Sequence, residues 1–192
     1  MTLHCVAPIS GYSVFVPEWE IQLPGGTNVS LNGTVEEIFG ELSNSDPILT
    51  RGLSAKFADE PREEPSFQGL KRSYSDFSGA PIVCNTYYPG NAFRLWQGIR
   101  YLYGITGRPY SSAGPSSCGR VSCSWRTAIW WCNDVVRQST TPKRLRSFSA
   151  IANGALRILN YCRETKNPYQ VSGQVFHRDG WDVIVTEDSL NC

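Results

Sequence analysis

Between Cys118 and Asp134 the chain reads Cys-Gly-Arg-Val-Ser-Cys-Ser-Trp-Arg-Thr-Ala-Ile-Trp-Trp-Cys-Asn-Asp, with three cysteines and three tryptophans in 17 residues. Val121, Cys123 and Trp125 alternate with Arg120, Ser122 and Ser124, the pattern of a strand with one apolar and one polar face. Ala128–Cys132 is apolar on both faces, which predicts a more deeply buried strand, with Trp130 and Trp131 packing on opposite sides of a sheet. Arg126-Thr127 is expected to turn between the two. A hairpin of this composition points to a small, oxidised, disulfide-stapled core.

Seven cysteines in 192 residues require a chemical explanation. No second close Cys or His pair follows Cys118 and Cys123, so the spacing does not make a zinc site, and no metal or cofactor is expected. A Cys-x-x-Cys redox motif is also absent. A disulfide framework remains, and with it an oxidising compartment and a secreted, extracellular protein. Residues 1–16 are not read as a signal peptide, because no Lys or Arg precedes them and Pro8 and Gly11 break the apolar run. No stretch is long and apolar enough to span a membrane.

Charge divides the chain. Residues 1–72 carry a net −5 and residues 73–192 a net +6, which together return the overall +1. The acidic part begins as a small βα unit, residues 1–50. Trp19, Ile21 and Leu23 share one strand face, Asn28–Leu31 returns, and Thr34-Val-Glu-Glu37 is a capping box opening a short helix. Alone, so small a unit would be marginally stable. Asn28 and Asn32 each begin a glycosylation sequon. Residues 51–72 read as a charged, solvated linker ending in Lys71-Arg72, the pair that a kexin-type processing protease cleaves. That cut would separate Cys5 from an even set of six: Cys84, Cys118, Cys123, Cys132, Cys162 and Cys192. Six cysteines allow 15 pairings, among which the sequence does not choose.

Residues 73–192 then form the mature cysteine-rich domain. Pro81–Tyr87 reads as a strand, and Asn91 caps a helix whose apolar face includes Leu95, Ile99 and Leu102. Gly107–Ser117 reads as a loop leading into the hairpin. Ser147 or Ser149 starts a second amphipathic helix. Gln170–His177 and Trp181–Glu187 form a second hairpin turned by Arg178-Asp179-Gly180. The expected class is α+β: two helices on one face of a mainly antiparallel, disulfide-stapled sheet, preceded by a small βα propeptide.

Four stretches, Cys118–Cys123, Ile129–Asp134, Ile151–Gly154, and Val171–His177 with Trp181–Val185, carry a resemblance over roughly the last 75 residues. They resemble the small secreted cysteine-rich effectors of filamentous fungi, in particular the necrosis-inducing factor domain. The element order is also similar to that of the α/β-sandwich killer toxins. The resemblance implies an effector or toxin-like protein activated by removal of a propeptide after Arg72, and it brings no shared catalytic residue set.

Function then divides into two classes. As a binding protein, the basic mature part would meet an acidic cell-surface partner through Arg120, Arg126, Lys143, Arg144 and Arg146, with Arg94, Arg100 and Arg108 as further candidates. The bland alternative is that these charges only keep a small protein soluble. As a hydrolase, it would use His177, the only histidine after residue 72, with Asp134, Asp179 or Asp182 as carboxylate partner. Beside an Asp-Gly turn, His177 reads more simply as an exposed hairpin-end residue. Lys143-Arg144 is a second dibasic pair, whose cleavage would leave two chains held by disulfides. No nucleophile elbow or phosphate loop is present, and the modest charge without a recognition motif argues against nucleic acid.

Overall fold

The computed structural model describes residues 6–23, 26–45, 77–134, 142–189 and 192. Along the chain run β1 (Ser13–Phe15), β2 (Glu18–Gln22), β3 (Asn28–Asn32), α1 (Val35–Ser45), β4 (Ile82–Cys84), β5 (Gly90–Asn91), α2 (Ala92–Gly104) and β6 (Gly107–Ala113). There follow β7 (Ser117–Ser124), β8 (Thr127–Asn133), β9 (Pro142–Arg144), α3 (Phe148–Tyr161), β10 (Gln170–Val171), β11 (Gly173–His177) and β12 (Trp181–Glu187).

Every residue of β8 is buried, as its two-sided apolar run predicts. It sits inside a six-stranded sheet of order β1-β7-β8-β12-β11-β4, antiparallel except for the parallel β1–β7 pair. Trp131 packs on one face, in the large core with Ile129, Val183 and Val185. Trp130 packs on the other, with Ala128, Ile184 and the Cys118 and Cys132 sulfurs. The amphipathic helices α2 and α3 both cover the Trp131 face, so the α+β arrangement is as expected. Gly98 and Gly154 bring them close: a Cβ on either would lie 2.4 Å from Ser122 Oγ or 2.7 Å from Val183 Cγ2. Asn91 caps α2 as predicted, its side chain accepting from the Phe93 and Arg94 N–H groups.

The six later cysteines pair as Cys84–Cys162, Cys118–Cys132 and Cys123–Cys192. Cys118 and Cys132 are directly opposed on β7 and β8. Cys123 reaches the same face only because of a β-bulge. The β7–β8 register shifts between Arg120 and Ser122, so Val121 packs into the helix-side core while Cys123 lies opposite Ala128 on the far face. Simple alternation put Val121, Cys123 and Trp125 together; the extra residue breaks that set. The hairpin also turns one residue earlier than expected. Trp125 and Arg126 are the turn, both at positive φ (49° and 63°), and Ser124 faces Thr127.

Gly107–Ser117 is not a loop. Gly107–Ala113 is β6, in a four-stranded sheet of order β3-β2-β6-β9. Its ladder partner β2 comes from the N-terminal part, a long-range pairing that local turn chemistry could not show. Gly107 is needed there: at φ 134° its hydrogen lies where a Cβ would meet the Glu20 carbonyl oxygen at 1.9 Å.

The N-terminal strands and helix thus share the core of the later part. The predicted capping box forms, the Thr34 N–H donating to Glu37 Oε2 at 2.7 Å. Trp19 is fully buried, stacks on Phe148 with ring centroids 4.5 Å apart, and donates from Nε1 to the Gly33 carbonyl at 2.6 Å. Val35 and Ile38 of α1 are equally buried. Each such side chain contributes about 1.5–3 kcal/mol. Residues 51–72, with the Lys71-Arg72 pair, lie outside the described residues. Trp19→Ala is expected to destabilise the whole fold by about 3–5 kcal/mol, read as one cooperative shift in a denaturant curve followed by tryptophan fluorescence.

Candidate functional site: an exposed hairpin tip and, at the far end of the sheet, a carboxyl pair

Most of the cations predicted to bind a partner already have partners within the chain. Arg120 pairs with Asp188 at 2.8 Å, both side chains mostly buried, and its guanidinium lies 5.9 Å from the Trp130 ring centroid. Arg126 pairs with Glu187 at 2.5 Å and Arg144 with Glu20. Lys143 Nζ donates to the Asp179 carbonyl at 2.6 Å, and partial burial pulls its pKa down. Arg146 is exposed. The five therefore divide into two places: Arg120 and Arg126 at the end of β12, and Lys143, Arg144 and Arg146 around β9. They do not form one basic surface. β9 also holds the second dibasic pair in a ladder with β6, and the Leu145 N–H is tied to the Pro109 carbonyl at 3.1 Å. The sequon asparagines Asn28 and Asn32 are exposed on β3, at the edge of the four-stranded sheet.

His177 is not an exposed hairpin-end residue, since its side chain is only 8% accessible. It stacks on Trp181 at 4.5 Å and meets the edge of Phe77 at 5.2 Å. Its Nδ1 accepts from the Asp179 N–H at 3.1 Å, with Asp179 Oδ2 at 3.6 Å. Of the three carboxylates considered for it, Asp179 is the neighbour. Asp182 points to the opposite face of the sheet, because His177 is registered with Trp181 and side chains alternate along β12. The flanking Trp181 and Phe77 rings explain the burial.

On that opposite face Asp182 and Asp134 come together, beneath Tyr12, Tyr87 and Gln174. Asp182 is wholly buried. The Tyr87 hydroxyl donates to Gln174 Oε1 at 2.7 Å. Burial, then the hydrogen bond and charge of Asp134, push the Asp182 carboxyl up to about 9, against a hydrogen bond from Gln174 that lowers it. Burial, then the neighbouring carboxylates, likewise push the Tyr12 and Tyr87 phenols up to about 12. Out of water and beside a second carboxyl group, Asp182 is held neutral at pH 7. Sequence reasoning named both aspartates but joined them to the wrong partner. The polar position in an otherwise apolar strand β12 was the available signal.

The most accessible unusual chemistry is at the β7–β8 turn. Trp125 is 72% exposed, and the Arg94 guanidinium lies 4.7 Å from its ring centroid. A two-residue turn with both φ positive favours Asn-Gly, yet Trp-Arg occupies it here. Such strain concentrates where a side chain must be presented. Beside it runs a groove of about 370 Å³, lined in part by Pro89, Asn91, Arg126, Tyr169 and Glu187. Pro89 and Glu187 also border a cleft of about 660 Å³ carrying Tyr87, Tyr88 and Trp130. Tyr88 and Tyr169 are both exposed. Trp125 was missed as a surface residue because the hairpin turns one residue earlier than the alternation implies, which places it in the turn.

Comparison with family models, with curated proteins and with solved structures found no match to this chain.

Two outcomes follow from the geometry. The unfolded chain loses the Asp182 proton near pH 4 and the folded chain only near 9, so this group makes stability fall as pH rises through that window. Asp182→Asn is expected to flatten the fall and to gain at least about 1.4 kcal/mol at pH 8, by urea unfolding at pH 5 and pH 8. A kexin-type protease incubated with the folded protein is expected to leave the Arg144–Leu145 bond intact, as read from reduced masses.

Proposed function

We propose that the protein is a secreted effector or killer-toxin-like binding protein, processed by a kexin-type cut after Arg72, that engages an acidic cell-surface partner through the Trp125 hairpin tip. The exposed Trp125 ring, with Arg94 against it and Arg126 beside it, is the observation that carries this reading. An indole with one guanidinium against its ring and a second arginine next to it in the turn joins a stacking surface to positive charge, and tryptophan and arginine are the residues on which binding energy concentrates. Three disulfides support passage through an oxidising compartment. Among the described residues no helix is long and apolar enough to cross a membrane, which agrees with action at a surface.

The dispersal of the other cations sharpens the proposal. Arg120 is committed to Asp188, so reversing its charge would test folding more than binding. Arg126 is 63% exposed, so its ion pair with Glu187 is weak and can be exchanged for a partner's carboxylate or phosphate.

The test is binding to polygalacturonate, with vesicles of anionic and of zwitterionic lipid run alongside. Trp125→Ala is expected to weaken binding to the acidic surface by at least about 10-fold, with the three disulfides intact by mass. Arg126→Glu is expected to weaken it further at low salt. Unchanged binding by Trp125→Ala would overturn the assignment of the tip.

A further inference from the structure

We infer that the segment containing β1, β2, β3 and α1 is a retained subunit: once the chain is cut after Arg72, this segment stays seated on residues 77–192 as the strand partner of β6 and β7. The inference rests on the processing step proposed above and specifies what processing leaves behind.

Backbone pairing is the first argument. β1 adds in parallel to β7, with Ser13, Val14 and Phe15 registered against Ser117, Cys118 and Gly119. β2 adds antiparallel to β6, from Glu18 against Tyr110 to Ile21 against Gly107. Without the segment, β6 and β7 would each present an open edge of unpaired N–H and C=O groups. Packing is the second. Phe15 meets the edge of Trp131 at 5.9 Å, and Trp19 stacks on Phe148. Removal would uncover these rings together, an apolar area of the kind soluble proteins do not leave exposed.

Polar contacts fix the register of the join. The Glu36 carboxylate accepts from the Ser122 hydroxyl at 2.6 Å and from the Cys123 N–H at 3.0 Å. Glu20 holds Arg144. An acidic segment on a basic body is thereby placed by specific pairs as well as by net attraction. All three described disulfides lie within residues 77–192, so among the described residues no covalent bond joins the two pieces. An interface that resembles a domain core cut in half is of the obligate kind.

The experiment uses the full chain, with a site-specific protease sequence replacing Gly69–Arg72, so that the cut does not depend on a host protease. Complete cleavage is verified on a denaturing, non-reducing gel. The cut protein is then run by native size exclusion and native mass spectrometry at about 1 μM. The two pieces are expected to travel together as a 1:1 complex, and Trp19→Ala to release the short piece by at least about 10-fold more. Should Trp19→Ala not fold before cutting, Phe15→Ala takes its place. The short piece eluting alone from the otherwise unaltered protein overturns the inference. An uncut Arg72 in the natural host would undo the processing reading while leaving this result standing.

Discussion

Strand β8 has no face that can tolerate water. Trp130 and Trp131 are neighbours in sequence, so a strand must point them in opposite directions, and both sides of the sheet then need a cover. On the Trp131 side the cover is α2 and α3, joined by Phe15. On the Trp130 side no helix packs among the described residues. The chain uses the Cys118–Cys132 and Cys123–Cys192 disulfides, Tyr87 and the residues from Ala7 to Tyr12. The cysteine-rich character of this protein is in part the answer to a second face that no described helix covers.

That second face also explains the buried carboxyl pair. A layer built from short segments and sulfur leaves room for polar side chains, and Asp182 enters it from the start of β12. Asp182 lies beside Asp134 and beneath the Tyr12 and Tyr87 phenols, and its own carboxyl is out of water. A group so placed reports pH through stability. His177, on the other face, has an aromatic nest. The sheet therefore separates the histidine from Asp182 and Asp134 and leaves it Asp179, while the aromatic and cationic side chains of the hairpin tip remain accessible.

Elements whose causes are local were legible in the sequence: the Asn91 cap, the Thr34–Glu37 box, the α3 periodicity, the Arg178-Asp179-Gly180 turn and the two-sided burial of β8. What escaped has non-local causes. β6 is a strand because β2 comes to pair with it. The bulge at Val121 moves Cys123 off the face that alternation assigns, and the early turn takes Trp125 out of the strand. The disulfide pairing is a property of the sheet, visible only once Cys118 stands opposite Cys132. The candidate site was read as a set of cations. Acids distant in sequence, Glu20 and Asp188 among them, neutralise most of that set, and the aromatic tip remains.

The β1–β7 pair joins residues 13 and 117, across the longest loop closed by any ladder in the fold. By contrast the β7–β8 and β11–β12 hairpins close over two and three residues, and local closure costs the least chain entropy. Contacts of short range form before contacts of long range. On loop-closure entropy the parallel strand is expected to join a sheet already begun, which would make the N-terminal segment a closing piece in folding.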